Sequence, residues 1–174
     1  MCYLQFSSLM PTTIPSCELF RRVMGSFPTG ITVLTAEREP GQVHGMTANS
    51  LTSVSLDPLL ISVCIDHNAR LLTYVQEQRR FGVNILKDTQ QRISELFAKP
   101  QQDPEEEAQL GVRFQWTNTG IPLLEDALAH LACNVAAQYS SGDHTIFVAE
   151  VEALELKPGE PLLYFRGKYR PLAV

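Results

Sequence analysis

The chain has 174 residues, 44% hydrophobic and 19% charged, enough to bury one sizeable core and too few for two comfortable domains. Its 14 Lys and Arg against 19 Asp and Glu give a formal net charge of −5 with no basic run, which disfavours a nucleic-acid or anionic-membrane surface. Cys2, Cys17, Cys64 and Cys133 stand far apart with no C-x-x-C, and no stretch reaches the roughly 18 apolar residues of a membrane span. The expectation is a cytoplasmic protein with reduced, buried thiols.

Residues 1–14 read as an N-terminal extension without the basic start and unbroken apolar centre of a secretory signal, and residues 15–174 as one domain. Leu19, Phe20, Val23, Met24 and Phe27 have helical spacing, with Pro15 and Ser16 as start signals and Pro28 to Gly30 as the stop. Strand-like runs follow at Ile31–Ala36, Val43–Leu56, Leu59–Ile65, Phe81–Leu86, Val112–Trp116, Leu131–Tyr139, Thr145–Leu156 and Leu162–Arg166. Turn signals such as Glu39-Pro40-Gly41, Ser141-Gly142-Asp143 and Pro158-Gly159 separate them. Short helices are expected at Asn68–Gln78, Asp88–Ala98 and Asp103–Leu110, each opening on an Asx-type cap. Strands in this number, without regular strand–helix alternation, predict an antiparallel barrel rather than a doubly wound sheet.

Several familiar motifs are missing. No two glycines lie two residues apart, so there is no G-x-G-x-x-G and no Rossmann dinucleotide site. Gly25 to Gly30 has P-loop glycine spacing, but Ile31 replaces the essential lysine and Pro28 removes a backbone donor. His44, His67, His130 and His144 have no metal-ligand spacing, so no metal is expected. Cys64, inside an apolar run, reads as a buried strand residue.

Three segments carry chemistry. Gly45 to Pro58 has strand length but puts Thr47, Ala48, Asn49, Ser50 and Ser53 where a core strand would carry branched or aromatic residues. Small side chains let a flat ring approach the backbone, whose polar groups then meet its polar edge. A Ser/Thr-rich edge strand facing water is the plain alternative. In Ile65 to Arg70 a strand ends and a helix begins, with Asn68 as the candidate cap and Arg70 near the free N–H groups of the first turn. That makes either a phosphate site or an ordinary capped helix. His144, in the turn from Gly142 into an alternating strand, either caps that turn or faces a ligand.

The order F-P-T-G-I-T-V-L-T-A (Phe27 to Ala36), G-M-T-A-N-S-L-T-S-V-S-L-D-P (Gly45 to Pro58), F-G-V-N-I-L (Phe81 to Leu86), G-D-H-T-I-F-V-A-E-V (Gly142 to Val151) and Y-F-R-G-K-Y-R-P-L (Tyr164 to Leu172) resembles the short-chain flavin reductases. These are the reductase components of two-component flavin-dependent monooxygenases. The resemblance spans roughly Ser16 to Leu172 and implies a mainly β fold: an FMN-binding, Greek-key split β-barrel with a few short peripheral helices, usually homodimeric with flavin near the subunit interface. It implies NAD(P)H:flavin oxidoreductase activity with FMN or FAD, NADH or NADPH as hydride donor, and a separate monooxygenase receiving the reduced flavin. A non-catalytic flavin sensor or carrier on the same barrel is the alternative.

By the same resemblance Thr47, Ala48, Asn49, Ser50 and Ser53 line the isoalloxazine and ribityl chain. Asp66, Asn68, Ala69 and Arg70 hold the phosphate end, and Pro28 and Thr29 form the pocket wall. His144 stands beside flavin and nicotinamide, with Tyr169 near the same pocket. Leu51, Leu59 and Ala149 depart from the family's usual Phe, Pro and Gly. Ala149 would narrow the pocket if the backbone there packs against cofactor.

Overall fold

The computed structural model describes residues 14–172. Cys2 and the proposed extension, except Ile14, lie outside the described residues. The first half of the chain runs α1 (Cys17–Met24), β1 (Thr29–Gly30), β2 (Thr32–Glu39), β3 (Gln42–Ala48), β4 (Thr52–Leu56), β5 (Leu59–Asp66), α2 (Arg70–Gln78) and β6 (Arg80–Ile85). A 3-10 turn (Asp88–Gln90) leads into α3 (Gln91–Phe97), α4 (Pro104–Gln109), β7 (Phe114–Trp116), β8 (Pro122–Leu124), β9 (Ala129–Ser141), β10 (His144–Leu156), β11 (Leu163–Phe165) and β12 (Lys168–Arg170). No helix among the described residues is long and apolar enough to cross a membrane.

Seven strands form one antiparallel sheet in the order β3-β2-β6-β9-β10-β5-β4. The edges β3 and β4 are consecutive in the chain, joined only by Asn49, Ser50 and Leu51. A flat sheet of seven strands would hold its edges about 29 Å apart. The four Cα steps from Ala48 to Thr52 span at most about 14 Å. The sheet must therefore curl until its edges nearly meet. β3 and β4 do not pair with each other, so the barrel is split along that line.

The curled sheet wraps a core that includes Leu34, Ala36, Val63, Ile65, Phe81, Val83 and Phe147, with Leu71 and Val75 of α2 packed against it. Alternate residues of β2 and β6 point outward into a second core of Ile31, Val33, Leu86, Leu96, Phe97 and Leu124 beneath α3 and β8. These strands are buried on both faces, and their runs are correspondingly apolar. Gly82 is required here. A Cβ on it would stand 2.4 Å from the Pro122 carbonyl oxygen and 2.5 Å from Thr35 Oγ1.

Buried Asn84 ties the layers together. Its amide nitrogen donates to the Val33 carbonyl (2.8 Å) and Thr35 Oγ1 (3.1 Å), and its oxygen accepts from Leu124 N–H (2.7 Å).

Local expectations were met unevenly. Ser16 caps α1 by accepting from Leu19 N–H, and Asp103 caps α4 by accepting from Glu105 N–H. Asn68 does not cap α2: its own N–H and amide both donate to Asp66 Oδ1, and the helix starts at Arg70 with Ala69 as the cap position. Asp88 opens the 3-10 turn rather than α3. The expected strand Val43–Leu56 is two strands on opposite edges. Cys64 is half-buried rather than buried, because core-facing positions of β5 are taken by Ile61, Val63 and Ile65. Cys133 is buried, its thiol pushed up to about 12 mainly by that burial.

Replacing Asn84 by Ala strands the Leu124 N–H between the layers. Urea denaturation should register a loss of about 2 to 3 kcal/mol, with the far-ultraviolet dichroism of the folded variant unchanged.

Candidate functional site

The split between β3 and β4 opens into a cavity of about 890 Å³. One wall is the connection Asn49–Leu51 with Thr52. The facing wall is Phe27, Pro28, Thr29 and Gly30, with Thr32, Ile85, Tyr164 and the α1 side chains Phe20, Arg21 and Met24 around it. β1 pairs with β11, setting Thr29 opposite Tyr164. Asn49 reaches across the cavity mouth, its amide donating to Thr29 Oγ1 at 3.3 Å.

Ser50 fixes the connection. Its hydroxyl accepts from Cys64 N–H (3.0 Å) and donates to the Cys64 carbonyl (3.2 Å), taking over the ladder bonds that a strand partner would have made. The backbone N–H and C=O groups of Asn49, Ser50 and Leu51 make no backbone hydrogen bond to any described residue. Three consecutive residues of the cavity wall thus leave their peptide groups without backbone partners, open to water or to a ligand. A Cβ on Gly30, opposite, would meet nothing within 4 Å.

The candidate residues therefore divide. Pro28, Thr29, Asn49 and Ser50 line this cavity. Thr47 turns its hydroxyl away to donate to the Ser94 carbonyl (2.7 Å), Ala48 packs on the barrel core, and Ser53 is exposed on β4. Tyr169 lies behind the wall, its hydroxyl 2.9 Å from Ser94 Oγ and its ring edge-on to Tyr164 at 5.4 Å. Tyr164 and Thr52, not marked by the sequence, line the cavity, as does Leu51, noted above only for its departure from the family's usual Phe. Tyr164 lies in the same quoted motif as Tyr169, and only the β11–β12 register distinguishes the two.

His144 and the Asp66–Asn68 turn are not among the residues that line this cavity; they lie together at the end of the β5–β10 ladder. His144 stands opposite Asp66 in the β10–β5 ladder, and Ile146 opposite Cys64. His144 therefore lies two residues, about 7 Å, beyond the Ser50–Cys64 link. Its Nδ1 is 2.7 Å from Asp143 Oδ1, and this contact holds the Asp143 carboxyl below the usual carboxylate range. Asp66 accepts from Asn68, and His67 N–H donates to the Asp143 carbonyl (2.9 Å), locking hairpin to turn.

A model of the flavin reductase like domain matches residues 24–173. The chain belongs to the flavin reductase-like family. It is 42% identical over 154 residues to an NADH-dependent flavin reductase of Rhodococcus sp, covering 87% of this chain and 84% of the relative. A flavin reductase (NADPH) of Lentzea aerocolonigenes is also 42% identical, over 146 residues and 83% of each chain. Among solved structures, the Streptomyces globisporus C-1027 NADH:FAD oxidoreductase SgcE6 in complex with NAD and FAD fragments superposes with TM-score 0.79 at 36% identity, covering 88% of this chain and 91% of that one. The styrene monooxygenase flavin reductase of Pseudomonas putida S12 does so with TM-score 0.78 at 38% identity, covering 89% and 99%.

Two candidate positions of this flavin reductase-like domain lie away from the split. Ala149 is fully buried in the barrel core, so its methyl fills that core and reaches neither cavity. Arg70 lines a second cavity, of about 860 Å³, that shares no lining residue with the first. This one is charged, with Arg38, Arg70, Arg113, Glu107 and Glu125 around buried His44. Burial, reinforced by Arg70 and Arg38, lowers the His44 pKa to about 4.

Because the unfolded chain takes up a proton near pH 6.5 that folded His44 refuses until about 4, stability is complete above that window and falls as the pH drops through it. Denaturation at stepped pH should record a loss of up to about 3 kcal/mol from this group, reduced by whatever water screens the cavity. The slope should flatten in His44→Gln.

Proposed function

We propose that this chain reduces a flavin with a nicotinamide dinucleotide and releases the reduced flavin to a separate oxygenase. The observation that carries the reading is the run of unpaired peptide groups at Asn49–Leu51 on the wall of an otherwise largely apolar cavity. A flat heteroaromatic ring has the complementary shape and chemistry: faces for Tyr164, Phe27 and Leu51, and a polar edge for the peptide N–H groups. The open space at Gly30 leaves room for such a ring.

When bound, flavin supplies the hydride acceptor and the dinucleotide the hydride. The protein's work is positioning. N–H donors of Asn49–Leu51 stabilise charge that grows on the ring edge, and Ser50, tied to Cys64, keeps them preorganised. His144, oriented by Asp143, sits at the end of the β5–β10 ladder, where a dinucleotide would enter. Thr47 and Tyr169 brace the wall through Ser94. Asp66, Asn68 and Ala69 set the turn beside His144, and Ser53 on the exposed β4 edge faces the flavin's outer chain. Relatives of equal identity carry NADH and NADPH preferences. The fold alone therefore does not set the choice of dinucleotide.

Anaerobic mixing of protein, NADH or NADPH, and excess FMN or FAD tests the reading. Oxidised-flavin absorbance should bleach through many turnovers, with saturation in flavin. A single partial bleach would leave a binding module in its place. In His144→Ala, kcat/KM for the dinucleotide should fall about tenfold, the equivalent of one charge-assisted hydrogen bond, while flavin affinity is kept. Unaltered kinetics with both dinucleotides would remove His144 from the site.

The functional unit we propose is a homodimer. None of the α1 residues is buried, and Phe20, Val23, Met24 and Phe27 are each more than half exposed. Phe20, Met24 and Phe27 also line the split cavity, so a second copy seated on this face would roof the site. Sedimentation equilibrium should return twice the chain mass, and Phe20→Asp should return the monomer with weakened flavin binding.

A further inference from the structure

Ser94, in the middle of α3, is fully buried. A buried helix position ordinarily takes an aliphatic residue, because serine is a poorer helix former than alanine and its hydroxyl costs free energy without a partner. The partner here is remote. Ser94 Oγ lies 2.9 Å from the Tyr169 hydroxyl, 75 residues further along the chain. The Ser94 carbonyl is engaged twice, accepting from Ala98 N–H within the helical turn (3.0 Å) and from the Thr47 hydroxyl on β3 (2.7 Å). One residue thus joins β3 to β12, strands of two different sheets.

Each strand leads to one side of the split. The chain leaves β3 at Ala48 and enters the Asn49–Leu51 connection. Tyr169 is paired with Tyr164, and Tyr164 with Thr29, along successive rungs across β12, β11 and β1. The Tyr169 ring also stands edge-on to that of Tyr164 at 5.4 Å. Asn49 and Leu51 line the cavity from one side, Thr29 and Tyr164 from the other, and Ser94 lines neither that cavity nor the charged one. The gap between the walls is therefore set from behind. A flat ring held in such a gap is sensitive to its width: a wall that recedes by about 0.5 to 1 Å forfeits about a quarter to a half of its dispersion contact.

We propose that Ser94 is a positioning residue for the flavin ring. Anchored on β3 by its carbonyl, it holds Tyr169 by its hydroxyl and so keeps Tyr164 and Thr29 at a fixed distance from the Asn49–Leu51 connection. The role rests on the split being the flavin site. It governs how tightly the ring is held and leaves hydride transfer between bound dinucleotide and bound flavin unchanged.

Ser94→Ala and Tyr169→Phe each remove one hydroxyl of the pair, and the second keeps its ring packed against the core. In flavin-free protein both should shift the amide resonances of Thr29, Gly30 and Tyr164. Each should weaken FMN binding about fivefold, the equivalent of one neutral hydrogen bond, with kcat at saturating FMN kept. The double variant should lose no more than either single one, because both hydroxyls belong to one link. Unaltered FMN affinity in both single variants overturns the role, whatever they cost in urea stability, and so does a double variant whose loss is the product of the two. Amide resonances that stay in place in both variants overturn it as well. Wild-type protein that binds no FMN overturns the flavin reading, and this role with it; the two failures are told apart because only that one shows in the unsubstituted chain.

Discussion

Three residues hold the two edges of a seven-stranded sheet together, and the remaining architecture answers to that constraint. Asn49–Leu51 is too short to bridge a flat sheet, so the sheet curls. It is also too irregular to continue either edge strand, so the barrel stays split. A longer connection would let the edges part and expose two unpaired strands, a known aggregation hazard. Ser50 prevents this by substituting its hydroxyl for a strand partner at Cys64. The same economy leaves the backbone groups of the connection without backbone partners beside the cavity.

Rigidity behind the split comes from β2 and β6, covered on both faces. Gly82 lets Pro122 approach the sheet, and Asn84 and Thr35 satisfy the polar groups trapped there. Gly45 makes the matching concession to Phe97, whose ring would lie 2.4 Å from a Cβ at that position. On this base α3 can hold Thr47 and Tyr169 through one serine. Several residues of the most informative motif thus serve the wall rather than the ligand. The groups left for the ligand sit on short connections carried by a stiff scaffold, a common division of labour in binding sites.

The two cavities differ in kind. The split is walled by aromatic and aliphatic side chains with peptide groups at one edge. The cavity over His44 is walled by guanidiniums, carboxylates and amides, one of which, Gln102, is committed to the Gly45 carbonyl at 2.6 Å. They lie toward opposite ends of β3: residues 41–44 line the second, and the Asn49–Leu51 connection that follows the strand lines the first.

Composition, alternation and turn chemistry in the sequence were enough to foresee an antiparallel, mainly β domain with few helices, because period-two burial and the caps at Ser16 and Asp103 are local properties. Motif order was enough to mark Pro28, Thr29, Asn49 and Ser50, which line the split cavity. Long-range pairing remained out of reach: nothing local in Val43–Leu56 says that its halves lie on opposite edges of one sheet. The same limit hid the turning of Thr47 toward Ser94, the choice of Tyr164 over Tyr169, the inward place of Ala149 and the assignment of Arg70 to another cavity. Each of these depends on which face of a strand meets which neighbour, and that is decided by register and curl across residues far apart in the chain.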